Sequence, residues 1–248
     1  METVKGERVA KVIAASGYCS KREAERLIFA GEVKVNGKVI DTPATFITDQ
    51  SIKIHNKLLD TKPVESKIWL FNKPRGYIVT NNDPQKIKTI YDILPKNMPK
   101  VITVGRLDMD TEGLLLLTNN GMLARYISHP TTGWSRQYRV KVHGIIKNIN
   151  FEKLAKNGVV IDGIKYAPVK IAIEKESTTT NTWLRVTITE GKNREVRKIM
   201  EHFNLRVIRL IRVSFGPFHL GKMPLGSIKP VSKQSLKDAI GKKIDIKI

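Results

Sequence analysis

The sequence is short of cysteine, of acidic side chains and of long hydrophobic runs. Its single cysteine, Cys19, excludes an intramolecular disulfide framework. The five histidines fall in no C-x-x-C or H-x-x-x-H spacing, so no zinc site is expected and no metal is assigned. The longest aliphatic run, Leu114–Leu117, is far below the roughly 20 residues that cross a bilayer. The opening segment METVKGERVAKVIAASG is charged and lacks the apolar stretch of a secretory signal. A soluble, cytoplasmic protein with no membrane partner is expected.

The shortage of acid says most about partners. Against 23 Asp and Glu stand 44 Lys and Arg in 248 residues, a formal net charge of +21. Such an excess predicts a polyanionic partner. A membrane surface is usually met by a basic amphipathic helix or a juxtamembrane cluster, whereas these basic residues run through the entire chain. Nucleic acid is therefore the expected partner. A hydrophobic content of 41% is enough for real cores, which excludes a disordered basic tail, and the length fits one large domain or two smaller ones.

The polar segment DTKPVES, residues 60–66, separates two stretches of different pattern and is read as a boundary, giving domains at 1–62 and 63–248. In the first, Val9, Val12 and Ile13 recur at helical spacing and Gly17 is a stop signal. Ser20 and Glu23 have capping-box spacing, Ala24, Leu27 and Ile28 share a face, and Gly31 sits where a helix ends. Val33 and Val35 then alternate into Asn36-Gly37, a strong hairpin signal. The basic residues Lys21, Arg22 and Arg26 on the second helix, with Lys34 and Lys38 on the hairpin, make either a solvated face or a phosphate-binding one.

Beyond the boundary, IWLFNKPRG, VITVGRLD, GLLLLTNNG, QYRVKVHG, PVKIAIEK and TWLRVTITEG read as strands. Helical patterns at Met122–His129 and Arg194–Phe203 interrupt them without regular βα alternation. An α+β fold with a mainly antiparallel mixed sheet is expected. RVIRLIRV, 206–213, satisfies both periodicities and is read as a strand for its β-branched content.

No G-x-S-x-G, H-E-x-x-H or G-x-G-x-x-G motif is present. Gly216–Lys222 matches the opening of a phosphate-binding loop but fails at Met223, and Pro217 and Pro224 oppose the loop, so a glycine-proline turn is expected. More telling is Arg106–Glu112, where Arg106, Asp108, Asp110 and Glu112 crowd between two strand-like runs. Such charge is either a turn with a surface ion pair or part of a cleft. A two-carboxylate glycosidase is the alternative enzyme class, but the basic surroundings fit RNA better than a neutral sugar.

GRLDxxTxGLLLLTN from Gly105, preceded by Lys73-Pro74-Arg75-Gly76 and followed by Tyr138 and by EGKNREVRK at 190–198, resembles the rRNA pseudouridine synthases that carry an N-terminal alpha-L RNA-binding module. The likeness covers nearly the whole chain. The first module itself, SKREAERLI with GEVKVNGKVI, is similar to alpha-L modules of other RNA-binding proteins. The resemblance implies uridine-to-pseudouridine isomerisation in rRNA without metal or cofactor. It makes Asp108 the catalytic aspartate, Tyr138 the active-site tyrosine and Arg197 the active-site cation. Arg106, two residues from Asp108, shares its side if the segment is extended. Asp110 and Glu112 are placed on the surface or behind the catalytic group. Lys73, Arg75, Lys192, Arg194 and Lys198 are expected to bind phosphates or close the pocket. The implied partner is ribosomal RNA or an assembly intermediate, with QYRVKVHG tilting towards the large subunit, and the protein is expected to act as a monomer. The competing class is a non-catalytic RNA-binding or ribosome-assembly factor on the same scaffold.

Overall fold

The computed structural model describes residues 6–62, 64–80, 87–147, 149–175 and 180–241, with 244, 246 and 248. The N-terminal part runs β1 (Glu7–Arg8), α1 (Val9–Ala15), α2 (Lys21–Phe29), β2 (Val33–Val35), β3 (Lys38–Val39), β4 (Phe46–Ile47), β5 (Ile52–Ile54) and β6 (Lys57–Leu58). Two helices and the hairpin form as their signals predict, and the hairpin grows into a four-stranded sheet of order β3-β2-β5-β6. Asn36 and Gly37 both have positive φ, 46° and 82°, the combination of a type I′ turn.

The Ser20 Oγ accepts the Glu23 N–H at 3.2 Å, while the Glu23 carboxylate turns to Arg26 instead of completing the capping box. At the other end of α2, Gly31 N–H donates to Ile28 O and Glu32 N–H to Leu27 O, both at 3.0 Å, closing a Schellman motif. Val9, Ile13, Ala24, Ile28, Ile52 and Ile54 fill the small core between helices and sheet.

The larger part contains β7 (Ile68–Lys73), β8 (Ile102–Val104), β9 (Glu112–Thr118), α3 (Gly121–Ser128), β10 (Arg136–His143), α4 (Phe151–Asn157), β11 (Val159–Ile161) and β12 (Ile164–Tyr166). It continues through β13 (Lys170–Lys175), β14 (Asn181–Ile188), α5 (Glu195–His202), β15 (Arg206–Phe215), β16 (Phe218–His219), β17 (Ile228–Pro230) and α6 (Lys233–Ile240). Nine strands form one sheet of order β13-β14-β10-β15-β9-β7-β17, with β16 on β15 and β8 on β9. Every described pair in it is antiparallel except β9 with β15. The expected α+β architecture is what forms. RVIRLIRV is a strand, and the segment after Gly216 is a β15–β16 turn rather than a phosphate cradle.

The Leu114–Leu117 run is explained by burial on both faces of β9. Leu115 and Leu117 join a core with Phe71, Tyr138, Val140 and Ile199 of α5. Leu114 and Leu116 pack on the opposite face with Leu123 of α3 and Leu236 of α6. Where β9 meets β15, Gly113 has φ 100°, and a Cβ there would lie 2.3 Å from the Arg212 carbonyl oxygen. Only glycine permits that approach, which sets the turn before β9 beside β15. Among the described residues no helix is long and apolar enough to cross a membrane.

Candidate active site

Between β8 and β9 the chain leaves the sheet, and a turn forms over Asp108–Thr111, closed by the Thr111 N–H on the Asp108 carbonyl at 3.0 Å. The turn breaks the even spacing of the three acids: Asp108 and Asp110 both face Arg194, while Glu112 goes to another partner. Asp108 stays half-exposed, with Arg194 Nη1 3.7 Å from its Oδ2. Asp110 is held by Arg197, whose Nη2 lies 3.0 Å from Oδ2 and donates to the Asp110 carbonyl at 3.2 Å. Glu112 is buried and forms a two-pronged pair with Arg209, at 3.0 and 2.7 Å, so it is not a surface group.

The structure corrects the expectation for Lys73. Instead of reaching phosphate from an open turn, its side chain is fully buried at the end of β7. Its ammonium donates to the carbonyls of Thr111 at 2.9 Å, Pro74 at 3.0 Å, Asp108 at 3.1 Å and Met109 at 3.4 Å. One cation thus gathers the carbonyls of the turn that carries Asp108. Burial pushes the Lys73 pKa down to about 8, against the pull of Asp110, Asp108 and Glu112.

The expected alignment of Arg106 with Asp108 is not what forms: the guanidinium at ion-pairing distance from Asp108 belongs to Arg194, while Arg106 stands exposed on the cavity wall. The physical reason is that Gly105–Asp108 is not an extended strand, so the alternation that would align residues 106 and 108 does not apply. Arg194 is itself left-handed, φ 51°, at the N-cap of α5. The loop before it is fastened by the buried Glu195, whose Oε2 accepts the N–H groups of Gly191 and Lys192, both at 2.8 Å. Burial raises the Glu195 pKa, opposed by those two hydrogen bonds.

Opposite the turn, Tyr138 of β10 is 7% exposed and lies across from Arg212 of β15. Arg136, two residues earlier on the same face, donates to the carbonyls of Thr189, Glu190 and Ser128. Asp108, Tyr138, Arg136, Arg194, Arg197 and Arg212 all line one cavity of about 500 Å³, large enough for a nucleoside-sized ligand. Arg136 and Arg212 are the site residues that sequence reasoning missed. Arg136 was findable, since it stands two residues before Tyr138 in an alternating run. Nothing local marks Arg212.

The other basic candidates divide. Lys192 borders the cavity, donating to the Lys165 carbonyl at 3.0 Å and to Glu190 at 2.5 Å. Arg75 is exposed and its charge acts on Arg197, while Lys198 is half-buried. On the N-terminal part, Lys21, Arg22, Arg26 and Lys38 are exposed, though Lys21 pairs with Glu25 at 3.2 Å and Arg26 with Glu23. Lys34 donates to Asn56 Oδ1 at 2.9 Å. None of these five lines the cavity. Among the described residues, no cluster of three His, Cys, Asp or Glu side chains is arranged to hold a metal.

Residues 67–202 match the family model of RNA pseudouridylate synthases, and residues 7–51 match that of the S4 domain. The chain belongs to the RNA pseudouridine synthase family. This synthase is 42% identical over 234 residues to an uncharacterized RNA pseudouridine synthase of Rickettsia bellii, covering 93% of this chain and 99% of that one. It is 38% identical over 228 residues to ribosomal large subunit pseudouridine synthase B of Yersinia pestis, covering 89% and 71%. The crystal structure of a pseudouridylate synthase shares the fold, with a TM-score of 0.66 at 24% identity over 96% of this synthase and 100% of that chain. The synthase is accordingly an enzyme that isomerises uridine in RNA, with an S4 domain at its N-terminal end.

Proposed function

We propose that this synthase converts a uridine of large-subunit ribosomal RNA to pseudouridine with Asp108 as the catalytic carboxylate. The observation that carries the residue assignment is the Lys73-caged turn, which presents Asp108 to a cavity walled by Tyr138 and by guanidiniums. The choice of RNA is supported by relatives named for the ribosomal large subunit.

The reaction separates uracil from ribose C1′, turns the base and rejoins it through C5. The Asp108 carboxylate has three routes open: attack on C1′, addition to the uracil ring, or removal of a ribose proton to give a glycal. The target base must first leave its stack. Tyr138 then offers a ring for it to stack on and a phenol near the departing C5 proton. Arg194 bridges Asp108 and Asp110, at 3.7 and 3.8 Å, and Arg197 holds Asp110, so the two cations tie the α5 end to the catalytic turn. Arg106 and Lys192 on the cavity wall, with Arg75 and Lys198, take phosphates, and Lys21, Arg22, Arg26, Lys34 and Lys38 extend the grip from residues 1–62. The catalytic domain is residues 63–248, and the enzyme works as a cytoplasmic monomer on free rRNA or an assembly intermediate.

Incubation with rRNA followed by a pseudouridine map tests the reading: wild type should modify a discrete uridine, and Asp108→Asn should leave it unmodified with RNA still bound. Undiminished conversion by Asp108→Asn would end the assignment. Tight binding by wild type without modification of any uridine would favour the non-catalytic factor.

A further inference from the structure

Arg212 is a buried cation with no task in the reading above. Its side chain is 2% exposed, and it stands across from Tyr138, so the two project from the same face of the sheet. Both line the cavity that holds Asp108. The guanidinium is fixed rather than mobile: Nε donates to the Leu114 carbonyl at 2.7 Å, and the group rests 5.1 Å from the centre of the Phe215 ring. Of its five donors, those on the buried Nη2 have no partner among the described residues.

The neighbouring charges do not neutralise it. Asp110 is engaged by Arg197 and Glu112 by Arg209. The charge that shares its ring is another cation, Arg136, which lies 4.7 Å from the centre of Phe215 and has its own donors on backbone carbonyls. A buried guanidinium without a counter-ion among the described residues, set beside a second one, is costly. That cost is offset when negative charge appears in the cavity.

We propose that Arg212 is a catalytic residue whose guanidinium stabilises the negative charge that develops on the uracil carbonyl oxygens during isomerisation. This rests on the uridine-isomerising reading of the site. When the C1′–N1 bond breaks, its electron pair leaves on N1 and spreads to O2 and O4. The base then turns, C5 bonds to C1′, the C5 proton departs and N1 gains a proton, so the product is an isomer and nothing else is consumed. If Asp108 adds to the uracil ring instead, the displaced electron pair again reaches a carbonyl oxygen. Every route therefore charges the group that Arg212 faces, and a fixed donor costs no reorganisation at that moment. A phosphate of the target nucleotide is the other anion that a buried guanidinium could meet. A position in the cavity wall level with Tyr138, where the ring stacks, favours the base.

The test compares wild type and Arg212→Gln, alongside Kd, by the single-turnover rate at which the starting nucleoside is consumed, on an RNA with uridine at the target and on the same RNA with 5-fluorouridine. The latter has no C5 proton to lose and so reports only the steps through cleavage of C1′–N1 and rejoining at C5. Fluorine at C5 already stabilises charge on the base. Arg212→Gln should lose about 10²–10³-fold in rate on uridine with Kd within about twofold. On 5-fluorouridine the deficit should shrink several-fold. A wild-type rate, equal deficits on both substrates, or a loss confined to Kd with a shallower salt slope, as for a phosphate contact, would overturn the proposal. Should Arg212→Gln not fold, Arg212→Lys decides: a deficit of about tenfold that shrinks on 5-fluorouridine supports the role, and an equal or absent deficit refutes it. If wild type modifies no uridine at all, the reading of the site fails rather than this step alone.

Discussion

At Lys73 a single ammonium, reached by no solvent, does the positioning that an acidic turn cannot do for itself. Removing it leaves four carbonyls without their shared donor and frees the Asp108 turn to move. Misplacement of a catalytic group by about 1 Å costs on the order of 10²-fold in rate. Lys73→Met should therefore lose rate on that scale while RNA affinity stays within about twofold; a fall in affinity with a shallower salt slope would return Lys73 to the phosphate contacts. The pH dependence has a definite sign. Folded Lys73 has a pKa of about 8, whereas an unfolded lysine titrates at about 10.4. Between those values the unfolded chain binds the extra proton, so this group's contribution to stability rises with pH. Activity moves the other way, because deprotonation removes one donor and the charge from the carbonyl cage. Wild type should show an alkaline limb in its rate with a midpoint near 8 that Lys73→Met lacks, and stability measured across the same range should not follow it. Asp108 was legible from its motif because GRLD is contiguous. Lys73 was not, since its partners in residues 108–111 lie some 35 positions away and a lysine beside a Pro-Gly turn has every local mark of a surface group.

The join between β9 and β15 is where one element positions the site. It is the parallel pair of the large sheet, registered through Glu112 with Ile211 and Gly113 with Arg212. Gly113→Ala would push a methyl into the Arg212 backbone, 2.3 Å from its carbonyl oxygen, at a φ of 100° that a side chain rarely adopts. A loss of about 2–4 kcal/mol in urea-induced unfolding is expected; a variant of wild-type stability would mean that the strands part freely. The ends of α2 were legible because caps are local: Ser20, Gly31 and their partners lie within a few residues of one another. β15 was harder. Its arginines recur every third residue, which suits a helix face, and the choice of strand is made by pairing with β10, β9 and β16. α4 and the β11–β12 pair gave no comparable signal, being short segments without strong periodicity.

Over the whole molecule the positive charge is uneven in a direction opposite to the simplest division of labour. Residues 1–62, which contain the S4 match, carry a formal net charge of +3, and residues 63–248 carry +18. The catalytic part should then bind many of the phosphates itself. Deleting residues 1–62 is expected to reduce the slope of log K against log salt only partly, by about 0.7 for each phosphate of a single strand that is no longer neutralised. Disappearance of nearly the whole slope would place the grip in the N-terminal part instead. The sequence by itself determined the class of partner and the α+β layout, because net charge and alternation are written along the chain, and a contiguous motif singled out Asp108 as the candidate carboxylate. Only the tertiary structure decided that Lys73 is internal, that Arg194 rather than Arg106 reaches Asp108, and that Arg136 and Arg212 turn inward beside Tyr138. Those assignments depend on which distant carbonyls, rings and strands converge, and burial and electrostatic partnership have no signature in residues considered one neighbourhood at a time.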